Sequence, residues 1–320
     1  MCLWLLAVIA AACQPASAQS VFTGEYMPYN AFDQLKTVPV KVQGGVLNVG
    51  FAPGDLALPQ QSFIAWITKS ANAVSLYYGG FPVKSGRLLI VPVPGKGVRG
   101  GQAFGYRGAA IRLLVGRDST EEDLIRDWKA VHEMVHLALP DVDQSHFWLS
   151  EGLAVYIESI ARVQAGDLTE EKIWGDFVRD MPQGLPGAGD RGLDFTPSWG
   201  RRYWGGAIFC LLADIEIRKR TGNQIGLQQA LRGILAAGGT QEEDWTIEQV
   251  LSVADKAAGV NVLSELYRTM HDNPSAPDLD ALWQDLGIST SSGGVMFDNT
   301  AILAPIRQAI TARPAGAEPL

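Results

Sequence analysis

Cysteine is nearly absent from this 320-residue chain, occurring only as Cys2, Cys13 and Cys210. Cys2 and Cys13 both fall in the first eighteen residues. If that segment is removed, Cys210 has no partner within the chain, which excludes an intramolecular disulfide as a source of stability. Histidine is as scarce, with four residues. Positive charge is in deficit: 26 Lys and Arg face 34 Asp and Glu, a net charge of −8, which disfavours nucleic acid or an anionic membrane surface as partner. Long apolar runs are missing as well. The run Leu3–Ala12 is too short to span a bilayer and nothing later is longer, so no transmembrane helix is expected in the mature chain. Stability must therefore come from a core, and about 300 residues suffice for one large domain or two packed lobes.

What is present begins with that apolar run. Ala16-Ser17-Ala18 supplies an A-x-A cleavage site before Gln19, so residues 1–18 read as a signal peptide and the protein as exported, periplasmic or secreted. No Lys or Arg precedes the run. The alternative is a lipoprotein leader ending at Ala12, with Cys13 carrying the lipid.

The four histidines are not scattered evenly. His132-Glu133-Met134-Val135-His136 reads HExxH, and Glu151 follows within Trp148-Leu149-Ser150-Glu151-Gly152. On a helix, residues four apart share a face, so both imidazoles can aim at one point. Two imidazoles and a carboxylate suit one zinc ion per chain, with the fourth position left for water and Glu133 placed to deprotonate it. Against this stands the bland alternative of two histidines on an ordinary half-buried helix. Ser119 and Glu122 form a capping box ahead of Leu124, Trp128, Val131, Val135 and Ala138 at helical spacing, predicting a helix over 121–139 that ends before Pro140. Glu151 lies on a second predicted helix, 146–164, which brings Glu158 back to the same face as a carboxylate able to receive the free N–H of a ligating histidine. His146 competes as third ligand, but without the longer HExxHxxGxxH spacing, since position 142 is Val.

Upstream, strand-like runs at Val38–Val42, Val46–Phe51, Arg87–Val93 and Ala109–Val115 surround one helix near 59–78. From Ser119 onward the signals are mostly helical, with Met181–Gly200 as a long Gly/Pro-rich loop of the kind that serves as a lid, a binding loop or a plain connection. These patterns predict an α+β protein: a strand-rich N-terminal lobe over 19–118, a helical catalytic lobe over 119–320, and the zinc site in the cleft between them.

With these residues in view, the chain resembles the gluzincin metallopeptidases and specifically the glycyl aminopeptidase family. The resemblance is carried by HExxH, by Phe147-Trp148-Leu149-Ser150-Glu151-Gly152-Leu153-Ala154 with Glu158 beyond, and by Arg202-Tyr203-Trp204-Gly205-Gly206-Ala207. Phe297-Asp298-Asn299 and Ala304-Pro305-Ile306-Arg307 add weaker likeness. It covers about 119–310 and implies a thermolysin-like catalytic core, peptide or protein substrates, and Tyr203 as hydrogen-bond donor to the oxyanion; no PDZ-like segment is read after the helical lobe, so a reduced catalytic core is expected. One departure stands out. Aminopeptidases of this clan carry a glutamate on a Gly-rich strand to bind the substrate's α-amine, and the matching segment Gly100–Gly105 has no carboxylate. Endopeptidase or oligopeptidase action is therefore preferred, with aminopeptidase action, or a non-catalytic zinc-stabilised binding module, as alternatives.

Overall fold

The computed structural model describes residues 20–291 and 293–314; the expected leader over 1–18, with Cys13, lies outside them. An N-terminal arm contains a 3-10 turn over Ser20–Phe22 and one short helix, α1 (Tyr29–Phe32). It leads into β1 (Thr37–Val42), β2 (Gly45–Phe51), the long helix α2 (Gln60–Tyr78), β3 (Ser85–Val93), β4 (Val98–Phe104) and β5 (Ala110–Gly116). The five strands form one sheet in the order β1-β2-β3-β5-β4. β2, β3 and β5 are parallel at its centre, while β1 and β4 run antiparallel at the edges.

Strand alternation gives this sheet two apolar faces. Leu88 and Ile90 of β3 point to one side and join Leu47, Val49, Ile111 and Leu113 in the main core, where α2 contributes Phe63, Ile67, Ala71 and Val74. Leu89 and Val91 point to the other side. There the arm covers them with Phe22, Met27, Tyr29 and Phe32, together with Phe104 and Ala110. The helix α2 follows the expected periodicity and ends where Gly79 adopts φ +80°, the left-handed cap that glycine supplies without strain.

The predicted helix over 121–139 is in fact two. Helix α3 (Glu121–Ile125) is capped by Thr120 and Asp123, which exchange side-chain and backbone hydrogen bonds one residue later than the expected Ser119–Glu122 pair. The chain then breaks at residues 126–128. Asp127 accepts hydrogen bonds from the backbone N–H groups of Lys129 (3.2 Å) and Ala130 (2.9 Å), starting α4 (Lys129–His136) afresh. A local cap thus sets the direction of the motif helix independently of α3.

The remainder is helical: α5 (Phe147–Gln164), α6 (Glu170–Asp180), a π-helical turn over Arg201–Gly205, α7 (Gly206–Arg220), α8 (Leu227–Ala236), α9 (Ile247–Ala258), α10 (Val262–Met270), α11 (Leu279–Asp285) and α12 (Ala304–Thr311). A short hairpin, β6 (Ile288–Ser291) and β7 (Gly294–Phe297), precedes α12. No helix among the described residues is long and apolar enough to cross a membrane. The expected loop Met181–Gly200 begins with a 3-10 turn over Met181–Gly184. It is tied down by a buried Arg201–Asp190 ion pair at 2.8 Å and by backbone hydrogen bonds from Leu193 to Met270 and from Asp194 to His271.

Candidate active site

Helix α4 turns His132 and His136 toward the start of α5, and Glu151 meets them there. The donor atoms lie close: His132 Nε2 is 3.3 Å from His136 Nε2 and 3.2 Å from Glu151 Oε2, and His136 Nε2 is 3.7 Å from the same oxygen. All three side chains are buried. A tetrahedral zinc with bonds of about 2.0–2.1 Å separates its ligand atoms by about 3.3 Å, so these residues fit the ion in donor type, number and spacing. Among the described residues this is the one group of three with such proximity.

Glycine makes this meeting possible. A Cβ on Gly152 would lie 2.2 Å from the backbone of Gly206, and one on Gly206 would lie 2.1 Å from the carbonyl oxygen of Trp148. Without side chains there, α5 and the start of α7 pack backbone to backbone. The π-helical turn just before α7 carries Tyr203 to the metal donors, with its ring nearly parallel to that of His132 at 6.4 Å between centroids. A single wide turn of this kind is a recurrent device at functional sites.

Glu133 points to the sheet. Gly101 of β4 leaves room for it, since a Cβ there would come within 2.5 Å of its carboxyl group. The backbone of Ala103 also hydrogen-bonds it. Burial pushes the Glu133 carboxyl up to about 7, with the charge of Glu151 adding to the rise and His132 opposing it. Burial likewise pulls His136 down to about 4, reinforced by His132, which keeps its imidazole neutral. For His132 burial again pulls downward, but the hydrogen bond to Glu151 and the charge of Glu133 outweigh it and the net direction is up. Glu151 moves down overall, because His132 and His136 outweigh its burial. Burial and the charge of Glu151 raise the Tyr203 phenol to about 12, so it holds its proton and can donate.

The surrounding residues differ in part from expectation. His136 Nδ1 lies 2.9 Å from Ser150 Oγ, a contact that sequence reasoning missed although Ser150 adjoins Glu151. Glu158 is buried close enough to favour the charged form of His132, yet its hydrogen bonds go to Arg162 (2.8 Å) and Ser159 (2.7 Å). No hydrogen bond joins it to His132, whose Nδ1 is buried without a partner. His146 faces away from the donors. Its Nδ1 lies 3.0 Å from Asp194, which also accepts from Trp148 Nε1 (2.7 Å) and the Tyr267 hydroxyl (2.9 Å).

A cleft of about 460 Å³ opens over the donors. One wall is β4 and its continuation, Gly101 to Tyr106; the other holds His132, Glu133, His136, Phe147, Ser150, Glu151 and Tyr203. At the far end of β4, Gln241 joins the lining of the cleft. Gly105 abuts the backbone of Gln241 so tightly that a Cβ would fall 1.7 Å from its carbonyl oxygen, and Gln241 is itself hydrogen-bonded to Leu137. Glu25 and Asp141 line the same cleft, and among the described residues no Lys or Arg does. None of residues 181–200 lines it, although Trp199 stacks on Tyr203 at 5.5 Å.

Neither a family model nor a curated protein matches the sequence. The fold is similar to that of solved structures. One is an aminopeptidase N family protein from Idiomarina loihiensis, with a TM-score of 0.58 and 16% identity over 80% of this chain and 49% of that one. Another is the M1 zinc metallopeptidase from Deinococcus radiodurans, with a TM-score of 0.50 and 17% identity over 77% of this chain and 53% of that one. The chain thus spans about half the length of each, and neither is described as a glycyl aminopeptidase. At this level of identity the likeness establishes a shared fold.

Proposed function

We propose that this protein is an exported zinc metallopeptidase that removes residues from the free N-terminus of peptides. The observation that carries the hydrolytic part is the buried His132–His136–Glu151 donor set, with Glu133 beside it but outside it. A structural zinc site has four protein ligands and no need of a base. When bound, zinc supplies an acidified water and polarises the scissile carbonyl. Glu133 would take a proton from the attacking water and pass it to the departing amine, a task suited to a carboxyl whose burial has raised its affinity for protons. Tyr203 donates its O–H to the oxygen on which negative charge develops.

We infer that Gln241, packed on Gly105, acts as a barrier at this end of the cleft, which favours aminopeptidase action over the internal cleavage preferred from the sequence. Glu133 is held between Gly101 and Ala103, and the barrier stands at Gly105, two strand residues further. That distance, roughly 7 Å, accommodates about one substrate residue and its terminus. A terminal ammonium would meet the carboxylates of Glu25 and Asp141 on a lining that holds no Lys or Arg, whereas a terminal carboxylate would meet like charge. The carboxylate missing from Gly100–Gly105 is thus replaced from elsewhere in the chain. The aminopeptidase N family membership of the Idiomarina protein supports the same reading. Incubating a decapeptide with the zinc-loaded protein and following it by mass spectrometry tests the proposal. It predicts a ladder shortened one residue at a time from the N-terminus and abolished by chelator; internal fragments as first products would overturn it.

A further inference from the structure

The arm preceding the sheet is fastened to it by one buried side chain. Arg112 lies on β5 and is buried, at 6% exposure. One guanidinium nitrogen donates to the carbonyl oxygens of Phe22 (3.3 Å), Gly24 and Tyr26 (3.3 Å), and the other donates to Gln102 Oε1 (2.9 Å). Two hydroxyls close the seam between the arm and the loop after β4: Tyr106 donates to the Met27 carbonyl (2.9 Å) and Tyr29 to that of Gly108 (2.7 Å). Glu25 and Tyr26 are thereby placed in the cleft beside Gln102 and Tyr106.

Two large aromatic surfaces are left uncovered there. Tyr26 is 72% exposed and Tyr106 56%, with their rings edge to face at 6.5 Å. Phe104 supports Tyr106 from behind at 6.1 Å, and Leu139, Pro140 and Val142 complete an apolar lining. Because the Tyr106 hydroxyl is spent on Met27, the wall offers ring surface more than polar recognition. A fixed concave wall with exposed rings gains stability when an apolar side chain covers it, and an aromatic side chain gains most through edge and offset stacking.

We propose that the arm Phe22–Met27 is part of the active site, and that Tyr26 with Tyr106 selects peptides whose first residue has a large apolar or aromatic side chain. The proposal rests on the aminopeptidase reading, since that reading places the first residue at the Gly105 end of β4, beside Tyr106 and Tyr26. Stacking of this kind corresponds to about a ten-fold preference for Phe over Gly at the first position.

The test uses Gly-Ala-Ala, Leu-Ala-Ala, Phe-Ala-Ala and Arg-Ala-Ala with the zinc-loaded protein. kcat/KM is expected to rise from Gly through Leu to Phe. Tyr26→Ala and Tyr106→Ala should each pull the Phe/Gly ratio toward one, mainly through KM, while Phe195→Ala, which alters an exposed aromatic that does not line the cleft, should leave the ratio unchanged. Calorimetry on Glu133→Gln measures binding of the same peptides without turnover. If none is cleaved but Phe-Ala-Ala still binds about ten-fold tighter than Gly-Ala-Ala in a Tyr26-dependent way, the aminopeptidase reading fails and the aromatic wall stands. Equal binding of the two, a preference for Arg-Ala-Ala, or a Phe/Gly ratio that survives both tyrosine substitutions would overturn the proposal.

Discussion

The two walls of the cleft are built on opposite principles. The helical wall, from α4, α5 and the π-helical turn, concentrates buried ionisable groups: His132, Glu133, His136 and Glu151 are all at most 8% exposed. Its helices are locked by the Gly152–Gly206 approach. The strand wall has almost no buried charge beyond Arg112; it is an edge strand with glycines, an arm strapped across it, and exposed tyrosines. Desolvated groups in fixed positions are what bond-breaking requires, because electrostatic effects are large only where water is excluded. Uncovered apolar surface and unpartnered edge backbone are what substrate selection requires. On the proposed reading chemistry and choice are separable, and substitutions on the two walls should fail differently.

The largest effects belong to the helical wall. His132→Ala, His136→Ala and Glu151→Ala should each release the zinc, whereas Glu133→Gln should keep it and lose about a thousand-fold or more in kcat, checked by elemental analysis alongside kinetics. Retention of metal by Glu151→Ala together with its loss from His146→Ala would break the assignment of the third ligand. Next in size is Tyr203→Phe, which should lower kcat by about ten- to a thousand-fold with KM little changed. A change confined to KM would move Tyr203 from the chemical wall to the selective one.

Gly152→Ala should lower stability by about 1–3 kcal/mol, because its methyl group has no space against Gly206 and the helices must part. Thermal unfolding would report this as a fall in Tm. Chelation should also lower Tm of the wild type, since zinc binds the folded donor set and contributes RT ln(1 + [Zn]/Kd). That stabilisation should weaken as pH falls, because the histidines and Glu151 bind metal only when deprotonated. A Tm indifferent to chelator would contradict a resident ion.

The strand wall should give the smallest effects, visible in KM. Glu25→Gln and Asp141→Asn should each raise KM for a free N-terminus several-fold, a modest size because Glu25 is exposed and screened.

The helical wall was also the more legible in the sequence. HExxH works through spacing within one helix, which local geometry dictates, and Glu151 follows from the next helix's start. The break at 126–128 escaped because it depends on Asp127 choosing to cap α4 instead of continuing α3, and either choice is compatible with the same apolar stripe. β4 entered only through the resemblance at Gly100–Gly105 and escaped the periodicity reading because its glycines show no alternation; Gly101 is small on account of Glu133, a neighbour distant in the chain. The arm's role rests on Arg112 and on Tyr106, contacts across 88 and 79 positions that no periodic pattern encodes. His146, a candidate ligand by residue type, is claimed by Asp194 from a loop whose fold the sequence did not reveal. Glu158 shares the face expected of it but is engaged by Arg162.

The most direct test of the account compares kcat/KM for one peptide with a free N-terminus and the same peptide N-acetylated. On the aminopeptidase reading, with Gln241 packed on Gly105 and Glu25 and Asp141 on a lining without Lys or Arg, acetylation should lower kcat/KM by about ten-fold or more, through loss of the ammonium's interactions and collision of the acetyl group with Gln241. Equal cleavage of the two peptides, with matching internal fragments, would contradict it.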